Sequence, residues 1–128
     1  MANWRQIEAD APEFAARVRS RFDAGTNKTI ATLRKDGAPR ISASELTFTD
    51  GAATLGMMSG SMKLLDVRRD PRIAIHSPTI EPPAGLLGAA PGDAKLAGTV
   101  VEIAPPPDNP YEGAGFFRPS GLILPRWP

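Results

Sequence analysis

The stretch Met57-Met58-Ser59-Gly60-Ser61-Met62-Lys63 is the densest grouping in this chain of residues able to do chemistry. It falls where a strand ends and a helix begins. The first backbone N–H groups of a helix have no internal partner and lie at the positive end of its dipole. Serine hydroxyls add donors, Gly60 lets the backbone approach closely, and Lys63 brings a full positive charge. Such a set can cradle a phosphate. The same residues also make an ordinary capped helix with a solvated lysine, because serine is a good N-cap. Met57, Met58 and Met62 could border an aromatic ligand or fill gaps in a core.

Other candidates are less concentrated. Period-two alternation puts Arg40, Ser42, Ser44 and Leu46 on one face of a strand, with Ile41, Ala43 and Glu45 on the other. Small hydroxylated residues mid-strand leave room for a flat ring and could bond its edge, or could face solvent. Arg68-Arg69-Asp70-Pro71-Arg72 reads as a helix C-terminus and turn whose cations complement the dipole. His76 lies between apolar neighbours on a strand and reads as a barrel residue.

The totals remove several classes. With no cysteine and one histidine, thiolate zinc sites, cysteine nucleophiles and histidine-built metal sites are disfavoured, and no metal is expected. The net charge of +1 gives no general attraction to nucleic acid or membrane. A barrel gripping single-stranded nucleic acid needs stacking aromatics in a basic groove, and only 6% of residues are aromatic. The polar start, Met1 to Asp10, has no apolar run of a signal peptide, so a cytoplasmic setting is expected.

The elements that must position these groups follow from local pattern. Phe14, Val18 and Phe22 recur every four residues behind Pro12, which predicts a helix capped by Asp10 and stopped by Gly25. Thr29–Leu33, Ile41–Phe48 and Ala53–Met57 read as strands joined by turns at Lys35-Asp36-Gly37 and Thr49-Asp50-Gly51. A short helix with Leu64, Leu65 and Val67, capped by Ser61 or Ser59, ends at Asp70-Pro71. Arg72–His76 and Lys95–Ile103 are further strands around a Pro- and Gly-rich loop from Ser77 to Asp93. The tail 105–128 holds half of the prolines, so at most a short edge strand is expected there. Its Phe116, Phe117, Leu122, Ile123, Leu124 and Trp127 are apolar enough to dock on the body or a partner. At 128 residues the whole is one domain.

Taken in order, Thr29–Leu33, Asp36-Gly37-Ala38-Pro39-Arg40-Ile41, Leu55–Lys63 and Arg68–His76 resemble the pyridoxamine-5′-phosphate-oxidase-like superfamily. The likeness is strongest to its small flavin- or deazaflavin-dependent members and covers most of residues 10–103. It implies a mainly β fold: a six-stranded antiparallel split β-barrel with an N-terminal helix and a short helix between strands. It implies a homodimer with FMN or the deazaflavin coenzyme F-420 in a cleft at the dimer interface. The cofactor-binding residues are then Lys63, Ser61, Gly60, Ser59, Met57, Ser42, Ser44 and Arg40, with no catalytic acid or base.

In that family a Ser-Arg-Lys segment grips the cofactor phosphate, and here Ser61-Met62-Lys63 keeps the serine and lysine with Met62 in place of arginine. A second-strand arginine of the family falls near Ser42. Each lost charge-assisted bond is worth about 1.5–3 kcal/mol. Relatives also continue after Ile103 with a further strand; Gly115-Phe116-Phe117-Arg118 matches its start and Pro119 is expected to break it. The implied function is an oxidoreductase moving hydride between the coenzyme and a small organic substrate. The alternative is a non-catalytic dimeric barrel that binds a coenzyme or other small ligand, or has lost the site.

Overall fold

Helices α1 (Trp4–Asp10) and α2 (Pro12–Phe22) precede four strands, β1 (Lys28–Leu33), β2 (Pro39–Ser44), β3 (Leu46–Thr49) and β4 (Ala52–Met57). Helix α3 (Met62–Arg69) leads to β5 (Arg72–His76), β6 (Lys95–Ile103) and β7 (Gly115–Ile123). The structure is a computed structural model that describes residues 3–79 and 92–123, with backbone only at 122 and 123. The expected docking of Leu122, Ile123, Leu124 and Trp127 therefore lies outside the described side chains.

All strands join one antiparallel sheet in the order β2-β1-β5-β6-β7-β4-β3. The expected strand Ile41–Phe48 is split at Glu45, which raises the count from six strands to seven. This split explains the barrel. β2 bonds only β1 and β3 bonds only β4, so they are the two edges of the sheet, yet one residue joins them. The sheet must curl until its edges meet at Glu45.

The curl encloses Ile30, Leu46, Phe48, Leu55, Ile75, Leu96 and Phe117, each at most 6% exposed. Burying a side chain of this size contributes about 1.5–3 kcal/mol. Helix α2 adds Val18 and Phe22, and α1 adds Trp4, whose ring lies 4.7 Å from that of Phe48. α1 has its own cap, a reciprocal pair between Asn3 and Gln6. Asp10 ends α1 and does not cap α2, whose N-cap is Ala11 with no side-chain bond. Asp50 and Gly51 both have positive φ, which fits the tight hairpin expected of an Asp-Gly turn.

β7 corrects the reading of the tail. It runs through Pro119 and lies in the sheet interior between β6 and β4. Pro119 is tolerated for a local reason. Its partner Val100 points its N–H at Pro71 on the β5 side, so the pair exchanges no bond across β6 and β7. The missing N–H of Pro119 faces the side where β4 has already ended its pairing, at Gly115–Phe117.

Candidate functional site

Lys63 stands in the first turn of α3. Gly60 takes φ +76° in the turn after β4, and Ser61 then caps the helix by accepting from the Leu64 N–H at 3.4 Å. This route carries Lys63 across to the end of β2, where its ammonium donates to the Ala43 carbonyl. Burial there pushes the ammonium pKa below its ordinary value.

One turn further along, Asp66 is buried with 1% of its side chain exposed. It accepts from Thr32 Oγ1 at 2.8 Å, Arg40 Nε at 2.7 Å and Arg69 Nη2 at 3.0 Å. Burial alone would raise this carboxyl, but those donors outweigh it and hold it below the ordinary range. α3 is thus tied to β2 by two rungs, Lys63 on Ala43 and Asp66 on Arg40, which fixes where Lys63 can reach.

Lys63 opens on a cleft of about 470 Å³. One side is the barrel corner, with Ala43, Ser44 and Glu45. The end of β4 contributes Gly56, Met57 and Met58. Phe116 of β7 lies against bare Gly56, where an added Cβ would stand 3.3 Å from the ring. The β6–β7 connection closes the far side with Asp108, Asn109 and Tyr111. That connection is held by its own bonds. The Asn109 side chain accepts from the Tyr111 N–H at 3.0 Å and donates to the Tyr111 carbonyl at 2.9 Å.

Of the residues expected from sequence, Lys63, Met57 and Ser44 line this cleft together. Ser59, Gly60 and Ser61 form the adjoining turn; Ser61 is engaged as a cap, and Ser59 lies against Gly113 of the connection. Arg40 points at Asp66, and the Ser42 hydroxyl is buried without a partner among the described residues. Neither borders the cleft. Met62 is 53% exposed on α3 and does not border it. Sequence reasoning missed Glu45, Gly56, Asp108, Tyr111 and Phe116. Asp108-Asn109-Pro110 is a turn signature that would have marked a structured connection. The arginine cluster is engaged in ion pairs, Arg68 with Glu102 at 2.9 Å and Arg72 with Asp70 at 2.7 Å, both at exposed positions worth little. His76 lies away from the cleft, its Nδ1 2.6 Å from the Ser77 carbonyl. Among the described residues no group of three or more His, Asp or Glu could hold a metal ion, and no helix is long and apolar enough to cross a membrane.

No family model matches the chain, and no curated protein does. Solved structures do. HutZ, a haem storage protein of Vibrio cholerae, superposes with a TM-score of 0.56 at 16% identity, over 89% of this chain and 93% of that one. An F420 reductase gives 0.58 at 17% identity, over 82% and 94% of the two chains. A pyridoxamine 5′-phosphate oxidase-like protein of Listeria innocua gives 0.60 at 11% identity, over 88% and 98%. At such identities the likeness is one of fold. The fold is the split barrel of the pyridoxamine-5′-phosphate-oxidase-like proteins, shared by the haem storage protein and the F420 reductase.

Proposed function

We propose that the cleft beside Lys63 binds a flavin or deazaflavin coenzyme, and that the protein is an oxidoreductase acting on a small organic substrate. The observation that carries this reading is the pairing, in one 470 Å³ cleft, of a cation with a flat apolar wall. The volume is in the range of sites for ligands of coenzyme-ring size. Bare Gly56 and the Phe116 ring make a surface on which a planar system can lie, and Met57 and Met58 line the same cleft. Lys63 supplies a charge for an acidic group of the coenzyme. Bound there, the coenzyme would supply the hydride; the chain's part is orientation and a dry wall. No acid or base of the protein is needed.

Homodimerisation belongs to the same reading. On the outer sheet face Ile41 is 74% exposed beside an apolar groove of about 430 Å³ that includes Thr29, Ala31, Ala74 and Ala97. A large apolar side chain beside a groove of small residues suits a self-complementary contact.

A second reading is favoured by one feature. With Arg40 bound to Asp66 and Met62 in place of a cation, Lys63 is the sole cationic side chain lining the cleft among the described residues. A non-catalytic barrel that carries a coenzyme would need no more. Titration with FMN and with coenzyme F420, followed by coenzyme fluorescence, tests both. Tight binding of one and turnover of the reduced form support the oxidoreductase. Binding without turnover of any acceptor leaves the carrier, and no binding of either overturns both.

A further inference from the structure

We infer that the β6–β7 connection is a substrate-selecting wall, and that Glu45, Asp108 and Tyr111 make the cleft favour a small aromatic substrate bearing a cationic or neutral polar group over a carboxylate. This rests on the cleft being the coenzyme site proposed above, with Lys63 serving the coenzyme.

The charges divide the cleft. Lys63 is anchored on Ala43 at the β2 side. Glu45 and Asp108 also line it, and neither has an ion-pair partner among the described residues. Two unpaired carboxylates draw cations into a concave site and repel anions. Once an acidic coenzyme group has taken Lys63, the remaining field is negative.

Tyr111 supplies the second element. It is 54% exposed, and its backbone is fixed on both sides by Asn109. An aromatic ring on a fixed backbone offers contact area at low entropy cost, and its face attracts a cation. The connection is also held to the β4–α3 turn. Gly113 has φ +75°, and a Cβ there would stand 2.8 Å from Ser59 Oγ. The wall is therefore placed against the same turn that delivers Lys63, and its side chains meet whatever lies beside the coenzyme.

The test uses three probes of one shape, benzylamine, benzamide and benzoate, bound to the protein with and without coenzyme and followed by NMR. The expected order is benzylamine, then benzamide, then benzoate, with about fivefold per carboxylate between cation and neutral probe. Asp108→Lys should invert the order of benzylamine and benzoate, and Tyr111→Ala should weaken all three probes severalfold. Both are exposed positions, and both variants should keep the melting temperature of the native protein. No binding of any probe, no charge order in the native protein, or an unchanged order in folded Asp108→Lys would overturn the inference. If neither FMN nor F420 binds, the coenzyme reading falls whatever the order of the probes; coenzyme binding with no charge order overturns the selecting wall alone.

Discussion

Arg40 and Asp66 lie 26 residues apart in sequence and meet at 2.7 Å between β2 and α3. The contact joins a partly buried guanidinium to a fully buried carboxylate, with side-chain exposures of 16% and 1%. Three residues before Asp66, Lys63 reaches the carbonyl of Ala43, three residues beyond Arg40 on β2. The ion pair therefore sets the seat of α3, and the seat of α3 sets where the cleft's lysine stands. An arginine that a sequence reading offers to a cofactor is used here to hold the helix.

Removing Asp66 should be severe. Asp66→Ala leaves Arg40 without its buried partner and should cost about 3–5 kcal/mol in denaturant unfolding. The pH dependence has a definite sign. The folded carboxyl titrates below its unfolded value, so its contribution is complete above the ordinary carboxylate range and is lost as pH falls through the folded pKa. Asp66→Asn should flatten that acid limb of the stability profile. An unchanged acid limb would show that Asp66 does not drive it.

Lys63 should behave in the opposite way. Its ammonium is penalised by burial, so the folded state releases that proton at lower pH than the unfolded chain does. The penalty is present at neutral pH and is relieved as pH rises through the folded pKa. Lys63→Met removes that penalty together with the bond to Ala43, so its stability relative to the native protein should be highest at neutral pH and fall in alkaline buffer. Coenzyme affinity should fall about ten- to a hundredfold in the same variant, the worth of one charge-assisted bond. A variant that loses stability and affinity together would mark Lys63 as scaffold.

Gly115 begins β7 against Leu64 of α3. An added Cβ would lie 2.5 Å from Leu64 Cδ1 and 2.8 Å from the Phe117 ring, and both neighbours are buried at 2% exposure. Gly115→Ala should lower stability by about 1–3 kcal/mol through overpacking, read as a fall in melting temperature. Leu64→Val in the same chain should recover part of that loss by vacating the tip of the side chain.

Much of the fold was legible because its signals are local. Asp-Gly turns fix hairpins by φ alone, Pro12 and Pro71 mark helix ends, and β6 covers the expected Lys95–Ile103. The corner at Glu45 was not legible, since alternation of side chains continues through it from Ser42 to Phe48. What bends the strand there is that its two halves pair at opposite edges, a fact of topology. α1 was missed because Trp4 and Ile7 are its only buried residues and too few to show a period. Pro119 misled for a physical reason: proline forbids a ladder bond, and here no bond was required of it. Of the site, Lys63 and Met57 could be read from the strand–helix junction, and Ser44 from the alternation along its strand. Tyr111 and Asp108 were missed because, past the turn signal at Asp108-Asn109-Pro110, a proline-rich run reads as a tail until β7 brings it back over the cleft.

The outer face makes a separate prediction. Ile41→Lys replaces a 74% exposed apolar side chain on an edge strand and should leave the monomer's stability within about 0.5 kcal/mol. Sedimentation should show a native dimer and a monomeric variant. A native protein that sediments as a monomer at high concentration would contradict the proposed interface.

The central claim is that the coenzyme lies in the cleft beside Lys63, and methyl NMR of the methionines tests it locally. Met57 and Met58 line the cleft, whereas Met62 is exposed on α3 outside it. With FMN or F420 added, the Met57 and Met58 methyl signals should shift strongly in the native protein, Met62 should stay near its place, and Lys63→Met should respond only at much higher coenzyme concentration. Coenzyme binding that leaves Met57 and Met58 unmoved, or no response at any concentration, would contradict it.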